Sequence, residues 1–245
     1  MIRINNLSKC YGELKAVDDL SLEIKSGEFF AFLGPNAAGK TTTIKLLTGL
    51  LKPTKGSAEI CGFDVQKDYL KAKALVSYIP DFPFLYDKLT GREFLEFVSN
   101  LYPQVDMRER KRTMEMYLNE LGLKSDENML IEHYSHGMRQ KLVFSAAFIH
   151  DPKVMIIDEP MVGLDPHAAR IIKNMLKQKS KEGVTIFLST HVLSVAEELA
   201  DRIGIIDHGR LITQGSLKEL AVSAGMDGKL EDLFLRLTEE DNGVK

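Results

Sequence analysis

The 245 residues carry a net charge of −3 at pH 7 and are 44% hydrophobic. That length suits one large domain or a domain with a subdomain, and the hydrophobic share is that of a globular protein able to bury a sizeable core. The slight acidity argues against general attraction to nucleic acid or acidic lipid, and no apolar run approaches the ~20 residues that a membrane-spanning helix needs.

Met1-Ile2-Arg3-Ile4-Asn5 leads straight into polar alternation, so no targeting segment is expected and any membrane role is expected to come through a partner. Ile2 to Ile24 alternates like an antiparallel sheet. Cys10 and Cys61 lie far apart without metal-ligand spacing, as thiols in a reducing cytoplasm do. Phe29-Phe30-Ala31-Phe32-Leu33 reads as a buried strand, followed by a helix from Thr42 to Leu50. Ala74 to Ile79 is a further strand. Thr90-Gly91-Arg92-Glu93 fits a capping box, with Phe94, Phe97, Val98 and Leu101 following at helical spacing. Asp106 to Leu121 gives a second helix with Met114, Leu118 and Leu121 on one face. Buried strands are then expected at Val154 to Ile157, Val184 to Leu188 and Ile203 to Ile206. Helical patterns separate the strands at Phe29, Val154 and Val184, which implies parallel pairing with crossovers. Ile205 to Thr213, with Asp207-His208-Gly209 at its middle, reads as a hairpin. From Ser216 the chain is helical, ending in a polar tail expected to fray.

Two motifs carry chemistry. Gly34-Pro35-Asn36-Ala37-Ala38-Gly39-Lys40-Thr41 matches G-x-x-x-x-G-K-[ST]. Glycines let the loop wrap a phosphate with its backbone N–H groups inward, and the following helix adds its positive end. Lys40 would reach the outer phosphates and the Thr41 hydroxyl would bind magnesium, with Thr42 next in line. Ala37 stands where such loops usually carry glycine; a positive φ there would strain it by about 1 kcal/mol. Val154-Met155-Ile156-Ile157-Asp158-Glu159 is an apolar strand ending in two acids: Asp158 for the magnesium shell and Glu159 as general base. The expected ligands are therefore ATP and Mg2+.

Tyr134-Ser135-His136-Gly137-Met138-Arg139-Gln140 then resembles the signature motif of the ATP-binding subunits of ABC transporters, commonly Leu-Ser-Gly-Gly-Gln, in a form most similar to the cassettes of ABC-2-type exporters. Asp158-Glu159-Pro160, Gly163-Leu164-Asp165-Pro166 and Ser189-Thr190-His191 complete the family's motif order, and the resemblance runs from about Ile2 to Leu220. It implies an α/β fold: a P-loop NTPase core with a mostly parallel sheet, an N-terminal antiparallel β subdomain and an inserted α-helical subdomain. The cassette would span about 1–220, the insert about 89–135, and 221–245 would form a C-terminal helical extension and tail. It implies a head-to-tail dimer, with a second copy or a paralogue, that sandwiches two ATP molecules. Ser135, His136, Gly137, Met138 and Asp165 would then serve the partner's nucleotide. Ser135 and Gly137 begin a helix whose apolar positions are Met138, Leu142, Ala146 and Ile149, and such a start is also an anion site. His191 would contact the terminal phosphate and orient water, Tyr11 would stack on adenine and Val17 would add an apolar contact.

Asp81 stands where the family commonly has glutamine, sometimes glutamate, that reaches the magnesium. It is one methylene shorter than glutamate, which suits contact through water. His136 replaces a signature glycine. Phe82-Pro83-Phe84-Leu85-Tyr86 lies where the family docks its membrane permease, and it reads either as a binding surface or as packing within the helical subdomain. The resemblance implies an ATPase that drives export through a separate permease, at the cytoplasmic face of the membrane. Competing readings are an ABC-type ATPase of repair or translation, a nucleotide-binding regulatory module and a P-loop kinase. The single cassette opposes the first. Intact Lys40, Asp158, Glu159 and His191 oppose the second, and the signature motif opposes the third. His133 and His136 lack further metal ligands nearby, and His150, His167 and His208 carry no functional signal in the sequence.

Overall fold

A computed structural model describes residues 1–82, 84–102, 106–161, 164–223 and 230–239. Strands β1 (Ile2–Tyr11) and β2 (Leu14–Ile24) pair antiparallel, with Ile2 opposite Ile24, Ile4 opposite Leu22 and Leu7 opposite Leu20. The period of two puts these residues on one face. The register slips between Ile4 and Leu7, at Asn6, and again between Leu7 and Lys9, at Asp19; these two residues take φ of 45° and 57°, and Asn6 Nδ2 donates to Asp19 Oδ1 at 3.0 Å. Asn and Asp tolerate that backbone better than other side chains.

Strand β3 (Phe29–Leu33) is buried at every residue. Apolar side chains on both faces are what a central parallel strand requires. Helix α1 runs Lys40–Leu47, shorter than the expected Thr42 to Leu50: Gly49 turns the chain at φ 69°, and the helix stops before it. Next come β4 (Lys55–Ile60), β5 (Phe63–Asp64), α2 (Tyr69–Ala74) and β6 (Val76–Ile79).

Helix α3 (Gly91–Asn100) starts at the expected capping box, with Glu93 N donating to Thr90 Oγ1 at 3.2 Å and Thr90 N donating to Glu93 Oε2 at 2.8 Å. Gly91 leaves room for Tyr134, whose hydroxyl would lie 2.2 Å from an added Cβ and would have to shift. Helix α4 (Met107–Glu120) is capped by Asp106 and buries Met114 and Leu118, with Leu121 buried at its end. Arg92 and Lys124 each pair with both Glu115 and Glu127, tying α3, α4 and the turn after it.

Helix α5 (His136–Phe148) returns to the core, followed by β7 (Val154–Asp158), α6 (Pro166–Lys181), β8 (Thr185–Thr190) and α7 (Leu193–Leu199). Strands β9 (Arg202–Asp207) and β10 (Arg210–Gly215) form the expected hairpin, and α8 (Leu217–Ser223) and α9 (Leu230–Glu239) close the described chain. Pro83, Gly163 and the tail 240–245 lie outside the described residues.

The described residues form two sheets. One has the order β2-β1-β4-β5 and is antiparallel. The other has the order β10-β9-β3-β8-β7-β6, parallel except for the edge strand β10. Strand β3 serves every core. Phe30 and Phe32 pack with α1 and the antiparallel sheet, Phe29 faces the cluster that runs through α5 and α6 into the helical insert, and Ala31 and Leu33 meet α7 and α9. At about 1.5–3 kcal/mol per fully buried large apolar side chain, these clusters hold the loops at the strand ends in place. Among the described residues, no helix is long and apolar enough to cross a membrane.

Candidate nucleotide site

The carboxyl ends of β3, β7 and β8 lie side by side, so the loops leaving them converge. The phosphate loop leaves β3 and rests on β9: a Cβ on Gly34 would lie 2.4 Å from Ile206 O, so only glycine fits. Gly39 takes φ 107°, and a Cβ there would meet Ala16 O at 2.4 Å. Ala37 does take positive φ, 65°, so the strain that its sequence position suggested is present.

Lys40 is 8% exposed, and its Nζ donates to Gly34 O at 2.6 Å and to Pro35 O at 3.0 Å. Burial lowers its pKa from the ordinary lysine value, against the opposing pull of Glu159 and Asp158. The Thr41 hydroxyl donates to Asp158 Oδ2 at 3.0 Å. Asp158 is 2% exposed, and burial raises its pKa above the ordinary carboxylate value while the Thr41 hydroxyl acts the other way. Glu159 follows at φ 47°. Its Oε2 accepts from the Thr190 hydroxyl at 3.2 Å, and its Oε1 lies 2.8 Å from His191 Nδ1. Asp81 shares this end; burial first, and then Glu159, raise its pKa, with His191 opposing.

A cleft of about 470 Å³ joins Lys40, Thr41, Asp81, Asp158 and Glu159, and His191 stands behind Glu159 outside its lining. Its walls include Tyr11, Pro35, Asn36, Ala37, Ala38, Gly39, Lys40, Thr41, Thr42, Asp81, Asp158 and Glu159. Tyr11 is 47% exposed, and the Lys9 ammonium sits 5.3 Å from its ring centroid. Val17 does not reach the wall. It is fully buried among the side chains under β1 and β2, because strand alternation turns it inward, and Ala16 and Lys15 line the cleft instead. Leu14, His208 and Gly209 also line it. The hairpin between β9 and β10 was legible, but that β9 lies beside β3 was not, so nothing marked His208.

The signature residues stand outside the cleft wall. Ser135 caps α5, its Oγ accepting from Met138 N at 3.2 Å, and Ser135 and His136 are exposed while Gly137 and Met138 are half-buried. Asp165 caps α6, accepting from Ala168 N at 2.9 Å and from His167 N at 3.0 Å; the first of these bonds is the main cause of its lowered pKa. Gln140 Nε2 donates to Pro160 O at 3.4 Å, which links the signature helix to the turn after Glu159.

The strand order, the loop and the paired acids all belong to one kind of protein, and comparison with known proteins decides the matter. The family model described as "ABC transporter" matches residues 17–162. The chain belongs to the ABC transporter family. It is 40% identical to the SkfA peptide export ATP-binding protein SkfE of Bacillus subtilis, over 86% of this chain and 87% of that protein. Among solved structures, an ATP-binding subunit of an ABC transporter matches with TM-score 0.93 at 32% identity, over 97% of this chain and 99% of that one. A bacterial ABC transporter cassette solved as a dimer matches with TM-score 0.81 at 25% identity, over 89% and 99%. The chain is an ATP-binding and ATP-hydrolysing ABC subunit with the α/β P-loop fold of such cassettes.

Proposed function

We propose that the cleft holds the nucleotide with its base on Tyr11 and its phosphates on the loop from Gly34 to Thr42. Two cassettes, this chain with a second copy or a paralogue, close head to tail on two nucleotides. The observation that carries this reading is the convergence of Thr41, Asp158 and Glu159 in the wall of an open cleft, with His191 held against Glu159, while the capped helix start at Ser135 stands outside it. A helix N-terminus with bare backbone is an anion site. Ser135, His136, Gly137 and Met138, with Asp165, would meet the terminal phosphate bound by the partner.

On nucleotide binding, Lys40 exchanges the Gly34 and Pro35 carbonyls for phosphate oxygens, a stronger charge-assisted contact. The Thr41 hydroxyl and the carboxylates of Asp158 and Asp81 are hard oxygen donors of the kind that suits Mg2+. Bound there, Mg2+ would offset phosphate charge and polarise the phosphoryl oxygens. Glu159 accepts the proton of the water that attacks the terminal phosphorus, as ADP leaves. An ionised Glu159 accepts from His191 Nδ1–H, so Nε2 of the neutral ring is left to accept from the attacking water, and it can donate to a phosphate oxygen only in the form that also carries a proton on Nε2.

Phe82 and Phe84 are 83% and 82% exposed, whereas Leu85 is buried. The segment therefore divides between the two readings drawn from the sequence: Leu85 packs inward, and the phenylalanines offer a surface to a transmembrane permease of the ABC-2 type, with export as the direction of transport. The cassette would sit on the cytoplasmic face of the membrane through that permease. The catalytic cassette would occupy about 1–220, with the helices beyond as an extension. The test is ATPase activity against protein concentration. Specific activity should rise and then saturate, because each site takes half its contacts from the other subunit; a flat profile down to nanomolar protein would contradict shared sites.

A further inference from the structure

The turn between β9 and β10 is a part of the cleft wall that none of the motifs explains. His208 and Gly209 form it with φ of 45° and 79°, the left-handed pair of a tight hairpin. It is fastened on two sides. Gly209 N donates to Ala38 O in the phosphate loop at 2.9 Å, and Gly209 O accepts from Asp18 N in β2 at 2.8 Å. Arg210 reinforces the second attachment through Asp18 Oδ2 at 2.7 Å. A turn fastened to both the phosphate loop and β2 has little freedom to move relative to a bound nucleotide.

The His208 side chain is 68% exposed and lines the cleft, while the Asp207 carboxylate beneath it is almost fully buried. Asp207 Oδ2 lies 2.8 Å from His208 Nδ1, and Oδ1 accepts from His208 N at 2.9 Å. An ionised carboxylate only accepts, so the Nδ1 proton is fixed toward Asp207, and in the neutral ring Nε2 is left as an acceptor. Phosphate oxygens give such an acceptor no donor. Ribose hydroxyls and the adenine amino group do. The position agrees: a Cβ on the neighbouring Gly209 would touch Ala16 O at 3.0 Å and Lys15 O at 3.2 Å, which places the turn against the β2 residues that line the cleft along with Tyr11 and Leu14.

We propose that His208, held by Asp207, is a nucleoside-contacting residue that accepts a hydrogen bond from a ribose hydroxyl or from the adenine amino group. The proposal rests on ATP occupying this cleft. The test uses the full chain and measures KM and kcat for ATP with magnesium, together with the inhibition constant of inorganic tripolyphosphate. His208→Asn and His208→Gly keep the left-handed turn, and neither side chain reaches as far as Nε2. Both should raise KM for ATP by about 3- to 10-fold, the scale of one hydrogen bond. The loss should fall on KM and not on kcat, with tripolyphosphate inhibition unchanged. Assays with 2′-deoxyATP, 3′-deoxyATP and ITP name the donor: the analogue lacking it should serve wild type and His208→Asn equally. A KM for ATP within about 1.5-fold of wild type in both variants would overturn the proposal, and so would tripolyphosphate inhibition weakened as much as ATP use. A wild-type chain without ATPase activity would instead overturn the reading on which it rests.

Discussion

Glu159 and His191 meet at 2.8 Å, Oε1 to Nδ1, across 32 residues of sequence. The other carboxylate oxygen accepts from Thr190, so the proposed general base is held at both oxygens by the end of the neighbouring strand and the residue after it. Fixing a base in this way removes rotamers that would not reach the attacking water. His191→Ala frees Oε1 and leaves Lys40, Thr41 and Asp158 in place. ATP affinity should stay within a few-fold, and phosphate release at saturating ATP should fall by about 10²-fold. An unchanged kcat would remove His191 from the mechanism.

Ala37 sits at φ 65° in the phosphate loop. Left-handed backbone costs a residue with a Cβ about 1–2 kcal/mol, and the extra freedom of glycine in the unfolded chain cancels about half of that. Ala37→Gly should therefore stabilise the protein by about 0.5–1 kcal/mol, measured by urea unfolding. Destabilisation would mean that the alanine methyl makes contacts worth more than the strain.

His150 lies outside the lining of the nucleotide cleft and has a titration to check. It is 5% exposed and stacks on Tyr102 with ring centroids 3.7 Å apart. Burial pushes its pKa down from 6.5 to about 4, against the Val76 carbonyl. The unfolded chain therefore binds the proton first as pH falls. Stability from this group is whole above pH 6.5 and is lost down to about pH 4, a slope worth about 3 kcal/mol in all. His150→Phe keeps a ring against Tyr102 and should flatten that part of the stability–pH curve. An equal slope in the variant would assign it to other groups.

Phe82→Ser and Phe84→Ser should leave the ATPase activity of the isolated chain unchanged, since both side chains are exposed. If they face the permease, the doubly substituted chain should no longer co-purify with membranes from cells that make the whole transporter. Membrane recovery equal to wild type would place the permease contact elsewhere.

Much of this was legible in the sequence because the chemistry is local. The phosphate loop needs glycine at two crowded points, and Gly34 and Gly39 occupy them. The acids of β7 follow an apolar strand, and Thr90 and Glu93 announce their own capping box. What was hidden depended on strand order and on which way a side chain turns. Val17 looked like a ligand contact, yet alternation along β2 buries it. His208 looked idle because the hairpin's place beside β3 is a long-range fact. The end of α1 was set by Gly49, which a reading of apolar spacing passes over.

The central claim is that two cassettes close on ATP and that Glu159 drives hydrolysis which opens them. Glu159→Gln keeps the shape of the side chain and one of its two acceptor oxygens and removes the base. In gel filtration with magnesium and saturating ATP, this variant should elute as a dimer, return to monomer when nucleotide is withdrawn, and release almost no phosphate. A Glu159→Gln chain that binds ATP yet stays monomeric would contradict the account.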